Sequence, residues 1–217
     1  MKNKLKLAGL ATAAVLLFGS IGYVVGAQPT KVTEGVKPAT AATATTATAI
    51  LAGGCFWCVE SDFDKLPGVI ATESGYTAGR TRNPTYEQVS AGSTGHTEAV
   101  RITYDPTKIS YSQLIEYFWR HIDPTVKDRQ FCDVGTQYRS GIYWQNEEER
   151  KIVEASRDAL LKSGKLPRIF TEIAAASTFY PAEEYHQDYY IKNPLRYSYY
   201  RSSCGRDNRI KEVWGAK

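Results

Sequence analysis

Cys55 stands in the run Gly53-Gly54-Cys55-Phe56-Trp57-Cys58-Val59-Glu60, directly behind a glycine pair and at the start of a helical pattern. Before it lies the β-prone Thr48-Ala49-Ile50-Leu51, and after it Val59, Phe63 and Leu66 recur at helical spacing. Strand, glycine turn and cysteine at a helix start make a nucleophile. The unpaired N–H groups and dipole of the helix end favour the thiolate, and are expected to draw the thiol below its free pKa of about 8.5. Phe56 and Trp57 would form an apolar wall beside the sulfur. A buried core cysteine is the bland reading of Cys55; the glycines, the aromatics and Cys58 three residues on argue for chemistry.

Acids and phenols that could serve such a sulfur lie elsewhere in the chain. Glu98 begins an alternating apolar stretch, where partial burial would raise its carboxyl pKa and let it donate a proton near neutrality. Asp133 and Tyr138 flank a glycine loop that leads into another β-prone run. Tyr86 sits in a glycine-rich loop, although with fifteen tyrosines in the chain an isolated one carries little weight. The three histidines, His96, His121 and His186, show no metal-ligand spacing. Val59 after Cys58 excludes c-type haem attachment, and Cys132 and Cys204 are too isolated for a second zinc-binding pair. No metal is expected.

The elements needed to position these groups can be read from the pattern. A first helix is expected over 55–66, a β-prone stretch over 69–77, and a surface loop carrying Tyr86 over 80–95. Glu98 to Tyr104 alternates as a strand that Asp105-Pro106 ends. Ser110 with Gln113 forms a capping box before the apolar face of Leu114, Ile115, Phe118, Trp119 and Ile122. A polar loop over 125–136 leads to a strand over 138–144. Asn146 then caps a charged amphipathic helix that Gly164 closes. A strand over 168–175, a helix from Pro181 to Tyr190 and an irregular tail from Asn193 complete the chain. This order contains the split βαβ of a ferredoxin-like two-layer α/β sandwich with added helices.

Composition bounds the rest. The 217 residues, 42% hydrophobic and 23% charged, suit one domain of ordinary size. The net charge of +4 comes with no groove-reading motif, so nucleic acid is not an expected partner. Arg201, Arg206, Arg209 and Lys211 read as a solvated face. Lys2, Lys4 and Lys6 precede the apolar Leu7–Ala27, which has the form of a secretory signal over 1–27. Left uncleaved, that run is long enough to anchor the protein in a membrane. Residues 28–48 are Ala/Thr-rich and read as a disordered tether, leaving 49–217 as the folded domain. The expected location is therefore extracytoplasmic, periplasmic in a bacterial-type cell. The four cysteines of an exported chain would ordinarily suggest two structural disulfides. A domain of this size does not need them.

Taken together, GCFWCVE, SGYTAG, NPTYEQVSAGSTGHTEAV, DVGTQYRSGIYW and AEEYHQDYY resemble the successive motifs of the peptide methionine sulfoxide reductase A family, in order, from about Ile50 to the C-terminus. The resemblance implies thiol-dependent reduction of L-methionine (S)-sulfoxide, free or in oxidised proteins, by a monomer that needs no cofactor beyond an external thioredoxin-like dithiol. It assigns Cys55 as nucleophile, Glu98 as proton donor, and Tyr86 and Tyr138 as hydrogen-bond donors to the sulfoxide oxygen. Asp133 would order the site, while Phe56 and Trp57 would hold the substrate ε-methyl group. A Cys55 sulfenic acid and then an intramolecular disulfide would follow.

The segment Tyr200-Arg201-Ser202-Ser203-Cys204 is similar to the family's recycling-cysteine segment, which makes Cys204 the expected resolving thiol. Cys58 and Cys132, where the family commonly has Gly and Asn, are the alternatives. Two other readings compete. An exported thioredoxin-like dithiol carrier would need only Cys55 and Cys58, and a stapled binding module would contain no free thiol.

Overall fold

The computed structural model describes residues 45–215. The signal segment 1–27 and nearly all of the tether 28–48 lie outside them. Ala47 and Thr48 do not belong to a tether: they open the central strand β1 (Ala47–Gly53), where they pair with Tyr104 and Thr103. Among the described residues no helix is long and apolar enough to cross a membrane.

After β1 come helix α1 (Phe56–Phe63), strand β2 (Val69–Thr77), short helix α2 (Tyr86–Ser90), strand β3 (Thr97–Tyr104) and helix α3 (Tyr111–Trp119). The short strands β4 (Arg129–Gln130) and β5 (Asp133–Val134) form a hairpin of their own. Strand β6 (Ser140–Trp144), helix α4 (Glu147–Lys162), and strands β7 (Glu172–Ala175) and β8 (Tyr180–Pro181) follow. The chain ends with helices α5 (Tyr189–Lys192), α6 (Pro194–Ser203) and α7 (Arg206–Trp214).

The sheet order is β7-β6-β1-β3-β2-β8, with β3 inserted antiparallel between β1 and β2. That is the split βαβ core of the expected sandwich, extended by parallel β7 on one edge and antiparallel β8 on the other. Alternation along β1 decides the layers. Ala49 and Leu51 face the main core with Phe56, Val59, Phe63, Leu114, Ile115 and Phe118, while Ile50 and Ala52 face Ala99 and Tyr143. The capping box of Ser110 with Gln113 and the Asn146 cap are both present, as are the helices they start.

Four further expectations need correction. Tyr86 is not in a loop: Thr85 and Gln88 form a capping box that starts a helix at Tyr86. Pro181 starts no helix. It closes β8 and leads to a 3-10 turn over Glu184–His186, and the positive φ of Asp188 (53°) separates that turn from α5. The tail from Asn193 is not irregular but forms α6 and α7, joined at Gly205, whose φ of 69° suits a residue without Cβ. The buried face of this helix pair is Tyr197, Arg206 and Ile210, so an aliphatic period is missing from the sequence. Arg206 is also no part of a solvated face. It is 2% exposed and donates to the carbonyls of Gly53 and His121.

Candidate active site

Gly54 turns the chain from β1 into α1 at a φ of 85°, and a Cβ there would lie 2.6 Å from Gln130 of β4. Only glycine lets the turn approach the hairpin so closely. Cys55 is the N-cap residue of α1, and its carbonyl accepts from the N–H groups of Cys58 (3.1 Å) and Val59 (3.4 Å). Its side chain closes a cavity of about 80 Å³, which has room for a side-chain tip. Phe56, Trp57, Tyr86, Glu98, Asp133 and Tyr138 line the same cavity, so residues far apart in the chain meet there. Tyr200 of α6 completes the lining.

Each partner is fixed by its element. Glu98, the second residue of β3, is 2% exposed, and its Oε2 accepts the Phe56 N–H at 2.9 Å. Burial pushes its carboxyl up to about 8, with the nearby Asp133 and Cys58 charges adding to the rise and the Phe56 N–H opposing it. Glu98 therefore holds its proton at neutral pH. Tyr86 is held by its backbone N–H on Glu183 Oε1 (2.8 Å), while Glu183 Oε2 accepts from Tyr76 (2.8 Å). Tyr138 ends a 3-10 turn whose N–H returns to Gly135. Burial raises both phenols, which thus remain donors. Asp133 starts β5 and accepts the Tyr200 hydroxyl on Oδ2 at 2.6 Å. Burial raises its carboxyl too, against the lowering effect of that bond.

The sulfur itself departs from expectation. Cys55 is 7% exposed, and burial, the adjacent Cys58 thiol and the Glu98 charge push it well above its ordinary value. A helix end contributes about 0.3–1 kcal/mol, less than one pKa unit, whereas burial of a titratable group shifts it by up to about 3–5 units. Desolvation wins. The hydrogen bond from Cys55, with the charges of Arg206 and Arg201, draws Cys58 the other way.

Phe56 and Trp57 form the apolar wall. Trp57 stacks on Tyr189 of α5 with centroids 3.7 Å apart, and its indole N–H donates to His186 Nδ1 at 3.0 Å. Residue types and spacing alone assign no role to His186, Tyr189 or Tyr200. One signal was present: Tyr197, Tyr200 and Cys204 recur at helical spacing. Cys204 is not on a free tail; it ends α6 and is bonded to Cys132. Cys55 and Cys58 are free thiols.

A buried thiol, a neutral carboxylic acid and phenol donors around a small apolar-walled cavity, with a second thiol in contact and a disulfide nearby, define a cysteine-based oxidoreductase. The family model for peptide methionine sulfoxide reductase matches residues 47–217. Peptide methionine sulfoxide reductase MsrA of Bacillus licheniformis is 50% identical over 78% of this chain and 94% of its own length. MsrA 2 of Caulobacter vibrioides is 47% identical over 93% and 97%.

Among solved structures, methionine sulfoxide reductase A of Corynebacterium diphtheriae is 40% identical with a TM-score of 0.63, covering 71% of this chain and 78% of that one. Reduced Mxr1 of Saccharomyces cerevisiae is 33% identical with a TM-score of 0.64, covering 70% and 88%. The chain belongs to the peptide methionine sulfoxide reductase family. It is an oxidoreductase that reduces methionine sulfoxide, and a dithiol carrier or a stapled binding module does not describe it.

Proposed function

We propose that Cys55 attacks the sulfur of the S epimer of methionine sulfoxide, free or in oxidised proteins, while Glu98 delivers its proton to the leaving oxygen. One observation carries this reading: Glu98, kept neutral by burial, shares the cavity with Cys55 and is tied to the residue after it. A sulfoxide becomes electrophilic at sulfur when its oxygen is protonated or strongly hydrogen-bonded, and Tyr86 and Tyr138 supply the remaining donors. Asp133 orders the site through Tyr200. The Phe56 and Trp57 rings receive the ε-methyl group and exclude a substituent the size of a main chain from that side, which selects the epimer.

The protonated oxygen then passes to the Cys55 sulfur: the substrate S–O bond and the new S–S bond break, a Cys55 S–O bond forms, and methionine leaves a Cys55 sulfenic acid behind. An internal disulfide then forms, and a thioredoxin-like dithiol reduces it. The reading includes export by the segment 1–27 and work by a monomer outside the cytoplasm, where the reductant must be an extracytoplasmic thioredoxin-like protein. Separated S and R sulfoxides, assayed with dithiothreitol, test the chemistry: only S should yield methionine, and equal rates would overturn the epimer assignment. Cell fractionation tests location, and a purely cytosolic protein retaining residues 1–27 would contradict export.

A further inference from the structure

The four cysteines fall into two pairs with different surroundings. The inner pair, Cys55 and Cys58, is buried and reduced; the outer pair, Cys132 and Cys204, is bonded. Cys132 is exposed at the tip of the two-residue loop between β4 and β5, and Cys204 is half-buried at the end of α6. Asp133 and Tyr200 link the pairs. Tyr200 reaches the Cys55 thiol and donates to Asp133 Oδ2, which lies 4.0 Å from the Cys204 sulfur. On the other side, Cys58 packs against Tyr197, one α6 turn before Tyr200 and two before Cys204.

We propose that these are two dithiols working in series: Cys55 and Cys58 complete the reduction, and Cys132 and Cys204 form the port where an external dithiol delivers electrons, with Cys132 the sulfur it attacks. The proposal rests on Cys55 being the nucleophile. It moves the first resolving step from Cys204 to Cys58, because Cys58 is the free thiol in contact with Cys55.

The electrons balance over one cycle. Cys58 attacks the Cys55 sulfenic sulfur; the S–S bond forms, the S–O bond breaks, and the hydroxide leaves as water with one proton. With the outer pair reduced, the Cys204 thiolate attacks the Cys58 sulfur and Cys55 leaves as thiolate. Cys132 then attacks Cys204 and Cys58 leaves. Two electrons have passed inward, Cys55 is ready again, and the result is the state seen here. An external dithiol attacks exposed Cys132 and expels Cys204, whose sulfur already accepts the Cys132 backbone N–H at 3.2 Å. A stabilised leaving thiolate speeds exchange. The second thiol of the reductant then releases Cys132.

The fully reduced chain, given excess methionine sulfoxide and no reductant, should end with disulfides Cys55–Cys58 and Cys132–Cys204 and no dimedone-reactive sulfenic acid. A thioredoxin whose second active-site cysteine is replaced by serine should be captured on Cys132. Cys132→Ser should slow thioredoxin-driven turnover by about 10-fold or more, and slow dithiothreitol-driven turnover less, since a small dithiol can reach the inner pair. Mapping that joins Cys55 to Cys204 or Cys132 as the end state, or capture of thioredoxin on Cys55 or Cys58, would overturn the proposal. Methionine formed in these experiments separates the two failures: none at all defeats the nucleophile assignment, whereas methionine with other disulfides defeats only the relay.

Discussion

The backbone N–H of Phe56 donates a 2.9 Å hydrogen bond to Oε2 of Glu98, so the residue that follows Cys55 also anchors the Glu98 carboxyl. The α1 start and the β3 start cannot shift independently without breaking that bond.

Glu98→Gln keeps a hydrogen-bond donor and loses the transferable proton, so the single-turnover rate below pH 7 should fall by about 10²-fold or more. The pH dependence has a definite sign. In the proposed mechanism the reactive form needs the Cys55 thiolate and the neutral Glu98 together, with Glu98 near 8 and Cys55 displaced upward. The wild-type rate should rise with pH and flatten near 8, where each gain in thiolate is matched by a loss of acid. The Gln variant should keep rising through that point. Parallel profiles would remove Glu98 from the proton transfer.

Trp57 is held by Tyr189 and by His186, which burial keeps neutral and therefore able to accept at Nδ1. His186→Phe preserves a ring beside Phe56 and Tyr86 but removes the acceptor. One hydrogen bond contributes about 0.5–1.5 kcal/mol, so KM should rise about 2- to 10-fold with kcat nearly unchanged. Altered indole fluorescence should accompany it. An unchanged KM and spectrum would show that the stack alone positions the wall.

How far the site was legible follows from where its residues lie. Cys55, Glu98, Asp133 and Tyr138 sit beside strands or helix starts with clear apolar periods, and the cavity gathers them as expected. Tyr200 and Arg206 lie on helices whose inward faces are phenols, an arginine and one isoleucine, so no hydrophobic period marks them. The sign of the Cys55 shift was not legible either. It depends mainly on how completely the folded chain buries the sulfur, which spacing does not reveal, and next on the hydrogen bond and charge of Cys58. The Cys132–Cys204 bond needs the α6 end to meet the β4–β5 loop across 72 residues, a long-range fact that local patterns do not contain.

Arg206 holds that C-terminal region in place. It donates to Gly53 O (3.1 Å) and His121 O (2.9 Å), approaches Asp62 at 3.6 Å, and lies 4.5 Å over the ring of Phe131, the other residue of the β4–β5 loop. Arg206→Met retains bulk but strands two carbonyls, while Asp62 keeps Arg201 at 2.8 Å. The expected loss is about 2–4 kcal/mol in denaturant unfolding, with faster reduction of Cys132–Cys204 by dithiothreitol. Unchanged stability would mean that water replaces the guanidinium at no cost.

Glu60 offers a test on stability away from the chemistry. It is 1% exposed on α1 between Ser74 and the backbone of Asp188, and burial pushes its carboxyl from 4.5 up to about 7. Between those values the folded chain keeps a proton that the unfolded chain has lost. The contribution is therefore fully present below about pH 4.5 and is lost as pH rises through about 7. The loss is at most about 3 kcal/mol. Glu60→Gln cannot ionise, so its unfolding free energy should fall less steeply over this range, leaving it more stable than wild type at pH 8 relative to pH 4.5. Denaturant titrations at both pH values measure the difference directly. If the two proteins lose stability in parallel, the Glu60 carboxylate is solvated in the folded state and the burial argument for it is wrong.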